Sequence, residues 1–155
     1  MQSYTALIWL LVTPFLGAAL TYLVGRLVAR RVGDSSHGNP ARWVALLSQA
    51  ATGVLLYFAA QGFLSEGRPF GVTIARMATD VNGILLRFDG ISLLLASVVL
   101  VLTVLVTLYS VTYMQGEPGE EKYYALLTAM MGMMIGLGCA HDLFNLWVWF
   151  EGMAI

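Results

Sequence analysis

The sequence is poor in charged residues. Only 11% of its 155 residues are Asp, Glu, Lys or Arg, whereas 59% are hydrophobic and the mean hydropathy is +0.77. A soluble domain needs many more polar residues to cover its core. The charged residues that are present cluster between long uncharged segments, which is typical of loops between membrane spans. The composition therefore predicts an integral membrane protein.

Few residues are available for redox or nucleotide chemistry. Cys139 is the single cysteine, and no cluster of Cys or His residues suited to iron–sulfur or haem ligation occurs in the sequence. No GxGxxG or GxxxxGK[ST] loop occurs, and the formal net charge of -1 gives no basic field for nucleic acid. We therefore expect no cofactor, no metal site and no nucleic-acid partner, and the lipid bilayer as the surroundings of the chain.

Uncharged segments of membrane-spanning length recur along the chain. A helix needs about 20 apolar residues to cross a bilayer. The predicted spans cover residues 3–25, 43–64, 90–114, 123–141 and, incompletely, 143–155. The last segment would rise only about 20 Å, against a hydrocarbon core of about 30 Å, so we expect the fifth helix to be truncated. The fold class is all-α integral membrane, with residues 1–155 as one membrane unit of about five transmembrane helices.

The region between the second and third spans has a different pattern. Residues 70–88 include an alternation at Val72, Ile74 and Arg76, followed by Asn82-Gly83. This dipeptide is favoured in two-residue hairpin turns. We predict a short β-hairpin outside the membrane.

The distribution of arginines predicts the orientation. The first loop between spans carries four arginines and one acidic residue, Asp34, whereas the longer second loop has three arginines and three acidic residues. An excess of positive charge marks cytoplasmic loops. The N-terminus, the hairpin and the break at residues 141–142 are therefore expected on the outer side, and the loop at residues 117–122 on the inner side.

Glu151 lies within the last apolar segment. If a helix begins near Asp142, Glu151 lies roughly 13 Å along it, close to the bilayer midplane. A carboxylate there costs on the order of 2.5 to 3.5 kcal/mol and is normally retained for proton or ion movement. Glu151 is therefore the candidate residue for proton translocation. The structural alternative is a hydrogen bond to a neighbouring helix, or a water-exposed helix end.

Three polar residues directly precede apolar helices. His141 and Asp142 are candidates for passing protons at the outer surface. However, Asp before an apolar helix is an ordinary N-cap and His is common at interfaces, so structural roles are favoured. Asp89, before the third span, is likewise expected first as a helix cap.

Two patterns predict contact between helices rather than chemistry. Gly132 and Gly136 form a GxxxG motif, which allows close approach of a second helix. The third span carries small and hydroxyl residues at helical spacing from Ser92 to Ser110, and we expect this stripe to face protein.

The second half of the chain resembles a known family. Residues 88–92 (FDGIS), Tyr123-Tyr124 before a Gly- and Met-rich helix, and Asp142-Leu143 leading to residues 149–151 (WFE) carry the resemblance. These segments resemble the antiporter-like membrane subunits of respiratory complex I (chains L, M and N of NADH:quinone oxidoreductase) and the Mrp-type cation/proton antiporters. The resemblance covers roughly residues 88–155. It implies that Glu151 matches a glutamate of the family's proton-translocation machinery and that the N-terminus lies outside.

The resemblance also implies a function and partners. The expected function is that of the N-terminal part of a proton-translocating subunit, without redox centres, in an NADH:quinone oxidoreductase or related complex of an energy-transducing membrane. Its partners would be the other membrane subunits of that complex. Family members pair the glutamate with a lysine on a later helix, so missing C-terminal helices or a companion chain would supply it. The alternative is a truncated, non-conducting structural or accessory subunit of another energy-transducing assembly.

Overall fold

The described part of the chain consists of helices and an antiparallel hairpin. The computed structural model describes residues 2–32, 40–67, 69–75, 84–115 and 117–154. The helices in these ranges are α1 (Gln2–Val32), α2 (Ala41–Glu66), α3 (Gly90–Tyr113), α4 (Glu120–Cys139) and α5 (Leu143–Ala154). The strands β1 (Phe70–Ala75) and β2 (Ile84–Phe88) lie between α2 and α3. The predicted five helices with a hairpin after the second are confirmed.

Three of the described helices are long and apolar enough to cross a membrane. The qualifying segments are Thr5–Val28, Ala41–Ser65 and Gly90–Tyr113. Helix α4 begins with two glutamates and a lysine, and α5 has 12 residues, which rise about 18 Å. Length and composition thus identify α1, α2 and α3 as candidate spans. The shorter helix α4 packs against all three, and α5 packs against α4 and β2.

Two helix boundaries differ from the predicted spans. Helix α1 continues to Val32, beyond residue 25, because the arginines that end the apolar segment are themselves good helix formers. Helix α4 begins at Glu120 rather than at residue 123, directly after Gly119, whose φ of 91° suits glycine. The predicted turn at Asn82-Gly83 lies outside the described residues.

The hairpin covers one end of the helices. Phe70 pairs with Phe88 and Val72 with Leu86 across the two strands. Leu86 and Phe88 are fully buried, and the rings of Phe70 and Phe88 lie 5.3 Å apart between centroids. Strand β2 also contacts α3, α4 and α5. Alternate residues of β2 therefore join the core formed by the helices.

Helices α1 and α3 each pack against both α2 and α4. The predicted stripe on α3 is confirmed, because its buried residues are Ser92, Ala96, Val99, Thr103, Thr107 and Ser110. Two side-chain hydrogen bonds of 2.7 Å tie this stripe to its neighbours. The Gln49 Nε2 donates to Thr107 Oγ1, and the Ser110 and Tyr123 hydroxyls bond to each other. Polar contacts between helices thus supplement the apolar core.

Asp89 caps α3 as expected. Its Oδ1 accepts hydrogen bonds of 3.0 Å from the backbone N–H groups of Ile91 and Ser92. These bonds, the one from the Ser92 N–H first, hold the pKa of Asp89 below its ordinary value, since they stabilise the ionised carboxylate. The Ser92 hydroxyl also donates to the carbonyl of Gly138, 2.7 Å away. The start of α3 is therefore fixed to the end of α4.

Candidate functional site

The short break between α4 and α5, residues 140–142, pairs with strand β2 of the hairpin. Helix α4 ends at Cys139, and Ala140 adopts an extended conformation that forms an isolated antiparallel bridge with Leu86. The backbone N–H of His141 donates to the carbonyl of Leu85 over 3.2 Å. The break thus adds a short third segment to the sheet edge. The side chain of His141 is exposed.

Asp142 accepts hydrogen bonds from two different elements. Its Oδ1 accepts from the backbone N–H of Asn145 at 2.7 Å, in the first turn of α5. Its Oδ2 accepts from the backbone N–H of Leu85 at 3.2 Å, in β2. The first of these contacts is that of an N-cap. The second joins the helix start to the hairpin.

Asn145 is a functional candidate that the sequence analysis did not single out. It is the buried residue of α5, 4% exposed, and its Nδ2 donates to the carbonyl of Leu85 over 3.2 Å. An amide in a helix that is apolar apart from Glu151, three residues after a capping Asp, was the available signal. Its partner is 60 residues away in sequence, so the spacing gave no indication of the contact.

Glu151 lies on the part of α5 that packs against α4. A Cβ atom added to Gly136 would lie 2.6 Å from the indole of Trp149, and one added to Gly152 would lie 2.8 Å from the sulfur of Met133. The rings of Phe15 and Trp149 stack with centroids 6.2 Å apart. Because α4 has glycine at position 136, α5 approaches closely enough to fix the turn that carries Glu151.

The GxxxG motif of α4 therefore serves two neighbours, as its predicted role in close helix contact requires. Gly136 accommodates Trp149 of α5, whereas a Cβ on Gly132 would lie 2.9 Å from the ring of Pro14 in α1. Because glycine has no side chain, α4 contacts α1 and α5 at close range.

The Glu151 side chain itself is exposed in the described chain. The surrounding exposed surface of α5 is apolar and is formed by Leu143, Phe144, Leu146, Trp147, Val148 and Phe150. Helix α4 has no charged residue after Lys122, and α1 has none before Arg26. Glu151 is consequently a single carboxylate on an apolar face. Asp142 lies roughly 13 Å from Glu151 along the helix axis, and His141 lies one residue further away, so the structure does not bring them together with Glu151.

A second group of polar residues lies at the opposite end of α4. Glu120 is 5% exposed and Tyr124 is fully buried. The Glu120 Oε1, the Tyr124 hydroxyl and the Arg42 Nε are buried and have no hydrogen-bond partner among the described residues. Burial raises the pKa of Glu120, while the Arg42 charge acts in the opposite direction. The sequence analysis placed Glu120 in a loop and so missed its burial; the spacing of four between Glu120 and Tyr124 was the available signal.

Comparisons with known proteins find similarity to chain 5 of complex I. The family described as NADH-ubiquinone oxidoreductase (complex I), chain 5 N-terminus, matches residues 81–124. NADH-ubiquinone oxidoreductase chain 5 of Aspergillus niger is 25% identical over 94% of this chain and 22% of the relative. The Cryptococcus neoformans var. grubii protein of that name is 24% identical over 94% of this chain and 21% of the relative. The Cryphonectria parasitica protein is 29% identical over 44% of this chain and 10% of the relative.

The chain is similar to complex I chain 5, and the match to the N-terminus family covers residues 81–124. The predicted resemblance to the antiporter-like subunits of complex I is thereby confirmed. Together with the three apolar helices of spanning length, this similarity supports an integral membrane protein. The chain spans about a fifth of the length of the two chain 5 relatives that cover most of it. The family match includes β2, α3 and the start of α4, and it ends before α5 and Glu151.

Proposed function

We propose that the chain provides the N-terminal helices of a proton-translocating, antiporter-like subunit in an NADH:quinone oxidoreductase or related energy-converting membrane complex, and that Glu151 carries a proton there. The observation that supports this proposal most is the single carboxylate on an apolar face of α5. Such a residue inside a membrane is costly and is normally retained for ion or proton movement. The similarity to complex I chain 5 supports the choice of host complex.

A carboxyl group in this setting is suited to loading and releasing a proton. Removal from water favours its protonated form, whereas a nearby cation favours its ionised form. A cation that approaches and withdraws would therefore make Glu151 release and rebind a proton. The tight contacts of Trp149 with Gly136 and of Gly152 with Met133 would hold the carboxyl group in place during this cycle.

The cation has to come from outside α1 and α4. Both helices are uncharged where they contact α5. We infer that a lysine on another helix or on a neighbouring membrane subunit of the complex faces Glu151, and that the exposed apolar side of α5 is the surface this partner covers. The N-terminus and the hairpin would lie on the outer side of an energy-transducing membrane, because the arginine-rich first loop favours the inner side.

The decisive variant is Glu151→Gln in the assembled complex. Glutamine keeps the size and hydrogen-bonding capacity of the side chain but cannot exchange a proton at this site. We expect proton translocation per NADH oxidised to fall by about tenfold or more, with assembly and quinone reduction retained. The measurement is proton uptake by sealed membrane vesicles during NADH oxidation.

Glu117→Gln is the matched control, because it makes the same chemical change at an exposed residue before α4 and is expected to leave the proton-to-NADH ratio unchanged. An unchanged ratio in Glu151→Gln would reject the proposal and support the alternative of a non-conducting structural subunit.

A further inference from the structure

The start of α5 has more hydrogen bonds than a helix cap requires. Asp89 shows the usual arrangement, in which one carboxylate oxygen accepts from the first turn of α3. Asp142 uses Oδ1 in the same way, toward the N–H of Asn145, but its Oδ2 accepts from the N–H of Leu85 in β2. The second bond does nothing for the cap itself. It connects α5 to the hairpin.

Leu85 is bonded to this junction through both of its backbone groups. Its N–H donates to Asp142, and its carbonyl accepts from the His141 N–H and from the Asn145 side chain. The next residue, Leu86, is fully buried and bridges Ala140. The junction is therefore attached to a strand that is itself part of the core.

We propose that Asp142 is a positioning residue for Glu151. By hydrogen-bonding the first turn of α5 to β2, it fixes the position of α5 along its own axis and its rotation about that axis. This inference rests on the proposed function of Glu151. Asn145, Trp149 and Gly152 recur at helical spacing and face the rest of the protein. The hydrogen bonds at Asn145 and the close contacts at Trp149 and Gly152 thus anchor one face of a short helix at both ends. Glu151 lies roughly 13 Å from Asp142 along this anchored helix.

Asp142→Asn separates the two roles of the side chain. A carboxylate accepts hydrogen bonds on both oxygens, whereas an amide accepts on one and donates from the other. Asparagine at position 142 can accept from Asn145 or from Leu85, but not from both. Asp89→Asn is the matched control, because the cap of α3 uses a single oxygen that asparagine retains.

The experiment measures proton flux in membrane vesicles that contain the assembled complex, across a range of pH. We expect Asp142→Asn to lower the flux per assembled complex by about threefold or more and to displace the pH at half-maximal flux, because Glu151 no longer sits at its normal position. No charged residue occurs in α4 after Lys122 or in α1 before Arg26. A displacement that the uncharged substitution Asn145→Ala also causes therefore reports on Glu151 and the cation inferred to face it. Asp89→Asn should leave both quantities unchanged.

Asn145→Ala gives a second, milder variant. It removes the side-chain bond to Leu85 while keeping the backbone N–H that Asp142 caps, and it should change flux and pH profile in the same direction. The positioning role is overturned if both variants reduce only the amount of assembled complex, with flux per complex and pH profile unchanged. If Glu151→Gln stops pumping while Asp142→Asn and Asn145→Ala pump normally, the positioning role is rejected and the proposed function of Glu151 is retained. If Glu151→Gln pumps normally, the proposed function is rejected, and the positioning role is rejected with it.

Discussion

The two ends of the helix bundle differ in whether their polar groups have hydrogen-bond partners. At the hairpin end, the side chains of Asp89 and Asp142 accept hydrogen bonds from backbone N–H groups of α3, α5 and β2. At the other end, Glu120, Tyr124 and Arg42 each have a buried polar atom without a partner in the described chain. A buried polar atom that lacks a hydrogen bond costs stability, whereas a satisfied one helps to specify a single arrangement.

The difference shows which end fixes the geometry of the candidate site. Glu151 belongs to α5, which starts at the hydrogen-bonded end. The position of Glu151 along the helix axis therefore depends on the contacts made at that end. The opposite end is held by apolar and interhelical contacts, and burial there raises the pKa of Glu120. Variants at the hairpin end should therefore destabilise or displace helices, while a neutral variant at the other end should stabilise the protein.

The largest effect is expected from Gly136→Ala. The added Cβ would lie 2.6 Å from the rigid Trp149 indole, so α5 has to move away from α4. Overpacking of this kind costs about 1 to 3 kcal/mol. Thermal unfolding in detergent should show a lower midpoint, with a change in tryptophan fluorescence.

Gly53→Ala is the matched control for that substitution. Its Cβ would lie 3.2 Å from the flexible end of Leu100, and alanine is favoured over glycine in a helix by about 1 kcal/mol. The control should be neutral or stabilising. Equal midpoints for the two variants would contradict the close contact between α4 and α5.

A smaller effect is expected from Asp89→Ala, which removes the cap of α3 at a cost of about 1 kcal/mol. Because the folded-state pKa of Asp89 is lower than its ordinary 3.8, the ionised cap contributes stability above that pH. This contribution is lost as the pH falls through the folded-state pKa. The difference in unfolding free energy between wild type and variant should therefore shrink in acid. A difference that stays constant from neutral pH into strong acid would argue against a charged cap.

The smallest effect, opposite in sign, is expected from Glu120→Gln. The pKa of Glu120 is raised above 4.5 in the folded protein, mainly by burial. Its contribution to stability is therefore present below 4.5 and is lost as the pH rises through the folded-state value. The neutral variant should melt slightly higher than wild type at neutral pH and equally in acid. Glu117→Gln, at an exposed position, should match wild type throughout, and a lower melting point for Glu120→Gln at neutral pH would show that the charge is needed.

Local patterns in the sequence predict most of this fold. Uncharged segments predicted the helices, and Asp89 was expected as the cap of α3. The stripe of small and hydroxyl residues predicted the buried face of α3. The hydrogen bonds of Leu85 to Asp142 and Asn145 were not predictable, because they join segments about 60 residues apart. On the Leu85 side they use the backbone N–H and carbonyl, which do not distinguish leucine from other residues. The burial of Glu120 was missed for a related reason: a charged cluster next to an apolar segment indicates a loop unless the neighbouring helix is known.

The candidate site was predictable in part. Helix rise alone places Glu151 deep along the last helix, and the family resemblance points to the same residue. The anchoring of its turn by Gly136 and Trp149 depends on how α4 and α5 meet, which the GxxxG motif predicts only in general. The cation that would face Glu151 does not lie on the parts of α1 and α4 that contact α5, so its identity depends on other helices.

The central claim, that Glu151 gains and loses a proton during turnover, is tested most directly by infrared difference spectroscopy of the assembled complex. A protonated carboxyl group has a C=O stretching band that disappears on ionisation. The account predicts a band that changes during NADH-driven turnover in wild type and in Glu117→Gln, and that is absent from the difference spectrum of Glu151→Gln. A carboxyl band that persists unchanged in Glu151→Gln would contradict it.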